Sequence, residues 1–204
     1  MDNIKLTVII PVYNQEELVV RALDSIPARD DIEVIVIDDG STDDTWSVLQ
    51  EYHKRTSLTN FILLYNQENK GVAYTVNKGY DTANGEYVVL LGSDDYFITD
   101  EFIKALNYLD GTDLVYFNLR VNNGDIWRLN NDNKGFCCGS VKFMKKTLIG
   151  DTRNPVGAKA GEDYYFYLEL LKKTPTETFT DITVKHYNYP RENSLSNLRT
   201  RGLI

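Results

Sequence analysis

The sequence predicts an α/β fold, with a mostly parallel central sheet flanked by helices and a smaller region supplied by the second half of the chain. Three observations carry this. Short segments at 6–12, 32–37, 61–65 ("FILLY") and 87–91 ("YVVLL") are apolar almost throughout. Strands without a polar face are buried on both sides, as in parallel sheets covered by helices. Between them lie segments whose apolar residues recur at helical spacing. After about residue 110 this alternation fades.

Taken in order, Leu6 to Val12 is the first strand. Asn14, with Glu17 three residues on, gives a capping-box pattern for a helix carrying Leu18, Val19, Ala22, Leu23 and Ile26. The second strand, Ile32 to Ile37, runs into "DDGSTDDTW", where Ser41 or Thr42 is placed to cap a helix with Trp46, Leu49 and Tyr52. "FILLY" follows, then a helix with Val72, Ala73, Val76, Tyr80 and Ala83 on one face. "YVVLL" leads to Thr99, read as the cap of a helix with Phe102, Ala105, Leu106 and Leu109. In the second half, "DLVYFNLRV" and "DIWRL" read as strands joined by an Asn-Asn-Gly turn. A helix is expected from Glu162 to Lys172, and a last strand in "ITVKHYNY". No repeat or linker divides the chain, so one domain spans 1–204.

Composition narrows the functional classes. The net charge of −8 disfavours a nucleic-acid partner. Cys137 and Cys138 are adjacent and cannot staple distant segments, so they read as free thiols in a reducing compartment. Pro11 breaks the first apolar run, which reads as a strand and not a secretory signal, and no run approaches the ~20 residues of a membrane span. The expected location is cytoplasmic, compatible with a peripheral position on the inner membrane face.

The acidic strand ends are the informative feature. In open α/β sheets ligands bind beyond the carboxyl ends of the strands, which places Tyr13, Asp38–Asp39 and Asp94–Asp95 on one crevice. "DDGST" alone is an ordinary turn and helix cap. A carboxylate at a strand end can also accept hydrogen bonds from a nucleobase or ribose. In "LGSDDYF" two adjacent carboxylates repel each other. A hard divalent cation relieves that, and Mg²⁺ commonly combines one or two carboxylates with substrate phosphate oxygens. "NKGVAY" starts a helix, where Lys70 and the amides beside Gly71 could meet a phosphate; a plain helix start fits equally well. In "GEDYYF", Glu162 and Asp163 either complement the helix dipole or supply a general base.

Together, "VIIPVYN", "VIDDGSTDDT", "NKGVAYTVNKGYDTANGEYVVLLGSDD" and "GEDYYF" resemble the family 2 glycosyltransferases of the GT-A (Rossmann-like) fold. The resemblance is strong over 4–110 and thinner over 111–190. It implies a nucleotide-sugar-binding half (1–110), an acceptor-side half (111–204) and an inverting, metal-dependent hexosyl- or N-acetylhexosaminyltransferase. Pro11, Tyr13 and Asp39 would contact the base of a nucleotide-diphospho-sugar, a UDP-sugar being favoured. Lys70, Gly71 and Asn77 would lie along the base and diphosphate, with Ser93 and Asp94 on the donor. Asp94 with Asp95 would hold Mn²⁺ or Mg²⁺, and Asp163 would be the catalytic base. The acceptor would be a glycan, a lipid-linked sugar or a protein, in cell-surface polysaccharide synthesis.

Two departures stand out. The family's first motif aspartate is replaced by Gly92, which removes a donor contact. The chain also ends soon after "HYNYPRENSLSN", where Tyr187, Arg191 and Ser194 keep the family's aromatic, basic and serine pattern. His186 is a further candidate metal or phosphate ligand, though a histidine in a strand is more often structural. Two alternatives stay open: a silent nucleotide-sugar-binding protein, and a sugar-phosphate nucleotidyltransferase. The latter is disfavoured because "PVYNQEEL" is not a glycine-rich basic loop.

Overall fold

The structure, a computed structural model, describes residues 4–135, 139–158 and 161–190. Cys137, Cys138, Arg191 and Ser194 lie outside the described residues. Strands β1 (Leu6–Val12), β2 (Ile32–Asp38), β3 (Asn60–Tyr65) and β4 (Tyr87–Leu90) alternate with helices α1 (Val19–Asp24), α2 (Thr45–Arg55) and α3 (Val72–Thr82). Then come β5 (Tyr96–Phe97), α4 (Thr99–Ala105), β6 (Leu114–Val121), β7 (Ile126–Trp127), β8 (Lys142–Lys145), α5 (Lys146–Ile149), α6 (Glu162–Leu171) and β9 (Glu177–Tyr187).

Among the described residues the strands form one sheet in the order β3-β2-β1-β4-β8-β6-β9-β5, with β7 added to β6 as a hairpin. β1 pairs in parallel with β2 and β4, and β2 with β3. The second half joins through antiparallel β8, which sits between β4 and β6; β9 pairs in parallel with β6 and antiparallel with β5. The fold class read from the sequence therefore holds, with a mixed rather than uniform second half.

β2 is buried along its whole length and β1 everywhere but Pro11, which accounts for their largely apolar sequences; the exceptions Thr7 and Glu33 are hydrogen-bonded to each other at 2.7 Å. α3 packs against β1 and β2, and its interior Gly79 has a packing reason. A Cβ there would lie 2.5 Å from Ile9 Cγ2 and 3.3 Å from Ile37 Cδ1, so only glycine lets the helix approach this closely. Because the parallel strands run the same way, Val12, Asp38 and Tyr65 fall side by side, with Asp38 opposite both of the others.

The caps differ from the sequence expectation. Asn14 does not open a helix: it has φ 51°, and α1 begins only at Val19, without a side-chain cap. Asn14 instead bridges loops, accepting the Thr42 amide on Oδ1 at 2.8 Å and donating from Nδ2 to Thr42 Oγ1 at 3.2 Å. Ser41 and Thr42 are thereby engaged elsewhere, and the first amide of α2, at Thr45, is accepted by Asp43 Oδ1 at 3.0 Å. Thr99 is already helical, and its hydroxyl donates to the Ser25 carbonyl at 3.0 Å. In each case a tertiary partner outcompetes the local cap.

Candidate active site

Side chains alternate along β2, so adjacent acids separate. Asp38 turns to the loop after it: Oδ1 accepts the Ser41 amide at 3.0 Å and its hydroxyl at 2.6 Å. Its Oδ2 is buried without a hydrogen bond among the described residues, and burial raises this carboxyl above the usual range. Asp39, only 4% exposed, faces α3. Its Oδ1 accepts Asn66 Nδ2 at 2.9 Å and the Lys70 amide at 3.0 Å, while Oδ2 accepts the Gly71 amide at 2.8 Å.

This corrects one expectation. The amides at the start of α3 are not an open phosphate cradle, because the anion at that helix terminus is Asp39 itself. The Lys70 ammonium pairs with Glu68, which raises its pKa through the hydrogen bond and the charge. Asn77 is also engaged: Nδ2 donates to the Asn154 carbonyl at 2.9 Å and Oδ1 accepts the Asn154 amide at 2.8 Å. It joins α3 to the segment before α6.

The end of β4 forms a tight turn in which the Asp95 amide donates to the Gly92 carbonyl at 3.0 Å. Ser93 is buried, Asp94 half-buried and Asp95 buried at 3% exposure. The two adjacent carboxylates do have a positive neighbour, and it belongs to the protein. Lys185 Nζ, fully buried on β9, donates to Asp95 Oδ2 at 2.9 Å, and the Asn188 amide donates to Oδ1 at 2.9 Å. The expected pairing of Asp95 with Asp94 as joint metal ligands meets an obstacle: both Asp95 oxygens already accept hydrogen bonds within the fold. Asp94 is also held from its main chain, since Arg21 Nη2 donates to its carbonyl at 2.6 Å.

Gly92 fits this packing. A Cβ on it would lie 2.9 Å from Asp95 Oδ2 and 3.1 Å from Asp94 Oδ1. His186 stacks on Tyr96 with centroids 4.6 Å apart, and the Arg21 guanidinium sits 4.9 Å from the Tyr96 ring on the same aromatic group. Burial first, then the Arg21 charge, lowers the His186 pKa, and its Nδ1 is buried without a partner among the described residues. That arrangement is a packed histidine rather than a ligand.

Pro11 lies opposite Ile37 near the end of β1, and Tyr13 beyond it is 42% exposed. The Asp39 amide donates to the Val12 carbonyl at 2.8 Å, which binds these two strand ends together. Tyr13, Asp39 and Asp94 thus follow strands that are neighbours in the sheet. Asp163 lies in the first turn of α6, half-buried, with Oδ1 accepting the Tyr164 amide at 2.9 Å. Its helix packs against α3: Tyr80 stacks on Phe166 at 5.2 Å, and the Asp163 charge contributes to the raised pKa of Tyr80, behind burial. Gly139 abuts it, a Cβ there falling 3.3 Å from Asp163 Cβ.

Sequence reasoning missed Arg21, Lys185, Asn188 and Asn154. For Lys185 a signal existed: a lysine inside the strand "ITVKHY" needs a counter-charge if the strand is central. Among the described residues no three His, Cys, Asp or Glu side chains are grouped to hold a metal. One half-buried carboxylate at a strand end suits a cation that arrives with phosphate oxygens, not one held by protein alone.

A mixed α/β sheet with acidic strand ends along one edge is the architecture of a nucleotide-sugar transferase of the GT-A class. The chain matches the glycosyl transferase family 2 model over residues 7–171 and belongs to that family. It is 30% identical over 203 residues to the Escherichia coli UDP-Glc:alpha-D-GlcNAc-diphosphoundecaprenol beta-1,3-glucosyltransferase WfaP, covering 89% of this chain and 76% of that one. The fold matches S. aureus TarS 1-349 in complex with UDP-GlcNAc, with TM-score 0.80, 23% identity, and 94% and 60% of the two chains covered. It also matches the mannosyltransferase PcManGT from Pyrobaculum calidifontis in complex with GDP-Man and Mn²⁺, with TM-score 0.76, 21% identity, and 98% and 61% covered. The chain spans about a third or less of the length of most curated relatives it matches. Among the described residues no helix is long and apolar enough to cross a membrane.

Proposed function

We propose that the protein is an inverting glycosyltransferase that moves a hexosyl or N-acetylhexosaminyl group from a UDP-sugar to an acceptor hydroxyl in cell-surface glycan synthesis. The observation that carries this reading is the order of Tyr13, Asp39 and Asp94 along neighbouring strand ends, with Asp163 brought to the same helix, α3, through Tyr80 and Phe166. The UDP preference rests on the names of WfaP and of the TarS complex, and a lipid-linked acceptor on that of WfaP. An acceptor of that kind fits a peripheral position at the membrane.

Tyr13 and Pro11 offer an apolar surface to the base. Asp39 has one acceptor position left on Oδ2 for a ring N–H. Asp94 is the residue to hold Mn²⁺ or Mg²⁺ beside the diphosphate, and Mn²⁺ in the PcManGT complex supports a divalent ion. When bound, that ion supplies neutralisation of the departing diphosphate charge. Asp163 takes the acceptor proton as the oxygen attacks the anomeric carbon from the face opposite the leaving group, and the configuration inverts without a covalent sugar–enzyme stage. Help of this kind is worth ~10²–10⁴-fold.

The test is nucleoside diphosphate release from a panel of nucleotide-sugars, with and without Mn²⁺, in the presence of polyprenyl-diphospho-sugar acceptors. Metal-dependent release from a UDP-sugar is expected. Tight donor binding without any release would favour the silent binding protein, and release from no donor together with no binding would end both readings.

A further inference from the structure

We infer that Lys185 is a positioning residue for Asp94: through its ion pair with Asp95 it fixes the turn on which the metal-side carboxylate stands. The inference rests on the donor site proposed above. Three contacts carry it. Lys185 and Asp95 are both buried, at 0% and 3% exposure, with Nζ 2.9 Å from Oδ2. The other Asp95 oxygen takes the Asn188 amide, so one carboxylate ties the Gly92–Asp95 turn to β9 and to the chain leaving it. Asp94, next in the turn, has its carbonyl pinned by Arg21.

A buried ion pair returns little net stability relative to apolar residues of the same shape, so stability is a poor account of it. Its geometry does two other things. The 92–95 turn is closed by the Asp95 amide on the Gly92 carbonyl, and β5, which follows it, has only two residues. Arg21 holds the Asp94 carbonyl on one side of this turn and the Lys185–Asp95 pair holds the other; loss of the pair gives the turn, and the Asp94 carboxylate on it, more freedom. The ammonium also cancels one of two adjacent negative charges. It leaves Asp95 occupied, so a cation meets one oriented carboxylate instead of two competing ones. Groups that orient a metal ligand typically change metal affinity by ~10–100-fold when removed.

Lys185→Met alone leaves Asp95 buried and uncompensated and is expected to fold poorly. The informative variant is Lys185→Met/Asp95→Asn, which removes both charges and retains an amide at the Asn188 contact. Mn²⁺ binding to the full-length chain is measured by electron paramagnetic resonance at saturating UDP, beside UDP binding in chelator and a thermal melt. The expected result is a double variant that melts cooperatively, binds UDP in chelator like the wild type, and binds Mn²⁺ ~10–100-fold more weakly. A cooperatively melting double variant with wild-type Mn²⁺ affinity overturns the inference, leaving Lys185 a packing residue. Tighter Mn²⁺ binding overturns it as well, because Lys185 would then be withholding a ligand. If the wild type itself binds no Mn²⁺ with UDP, the metal reading of the donor site falls and takes this inference with it.

Discussion

Asp39 accepts the Gly71 amide at 2.8 Å, so a residue at the end of β2 anchors the first turn of α3. Asp39→Ala strands three donors, on Asn66, Lys70 and Gly71. We predict a loss of about 1–3 kcal/mol in urea denaturation, as for buried groups left unsatisfied. Asp39→Asn keeps Oδ1 for Asn66 and Lys70 but turns an amide donor toward both the Gly71 amide and a ring N–H. It should stay folded and lose UDP affinity by calorimetry. Full affinity in a stable Asp39→Asn protein would remove the base-reading role.

Gly92 gives a prediction opposite in sign to the family pattern. Restoring the missing carboxylate by Gly92→Asp places a Cβ against Asp94 and Asp95, the latter fixed by Lys185. A third negative charge joins the same turn. The variant should melt at a lower temperature and release less nucleoside diphosphate than wild type. A gain in turnover would show that Gly92 is a simple loss of a donor contact.

Asp94→Asn should remove most of the metal dependence of UDP binding while leaving binding in chelator unchanged. Titration with and without Mn²⁺ checks this. Equal, metal-sensitive affinity in both proteins would move the metal site elsewhere.

Asp163→Asn should reduce transfer by ~10²–10⁴-fold with donor affinity nearly constant, the signature of losing a general base. Glu162→Gln, one residue earlier in the same turn of α6, is the control. If the control loses turnover and Asp163→Asn keeps it, the base is Glu162.

His186 predicts a pH dependence of stability. Its folded pKa lies below the ordinary 6.5 because of burial and the nearby Arg21 charge. The unfolded chain therefore binds this proton more readily, and stability is lost as pH falls from 6.5 through the folded value. His186→Phe keeps the stack on Tyr96 and should flatten the urea-midpoint profile between about pH 5 and 7. An unchanged slope would assign that acid sensitivity to other groups.

The first half of the fold was legible because β1, β2 and most of β4 are buried on both faces and the helices are amphipathic, so residue type alone reports the element. The sequence could not yield β8 or β5. "KFMK" carries a lysine at each end, Lys142 being fully buried, and Tyr96–Phe97 is too short to show a period. The acidic strand ends were legible as types, but their partners were not. Asp39 meets amides 31 and 32 residues away, and Asp95 meets a lysine 90 residues away. Reading "DD" as a pair of metal ligands assumed that its counter-charge came from solution; for Asp95 it comes from Lys185, on β9.

That distance bears on the order in which the molecule can be made. β5 and the Gly92–Asp95 turn are synthesised well before the strand they pair with, residues 177–187. A ribosome releases roughly 5–20 residues per second, so the four parallel strands have several seconds to associate while Asp94 and Asp95 stand beside each other without their lysine. Among the described strands, β9 and its pairing with β5 are therefore the last part of the sheet to form. A nascent chain halted before β9 carries the parallel strands β1–β4 and a Gly92–Asp95 turn still without its buried counter-charge.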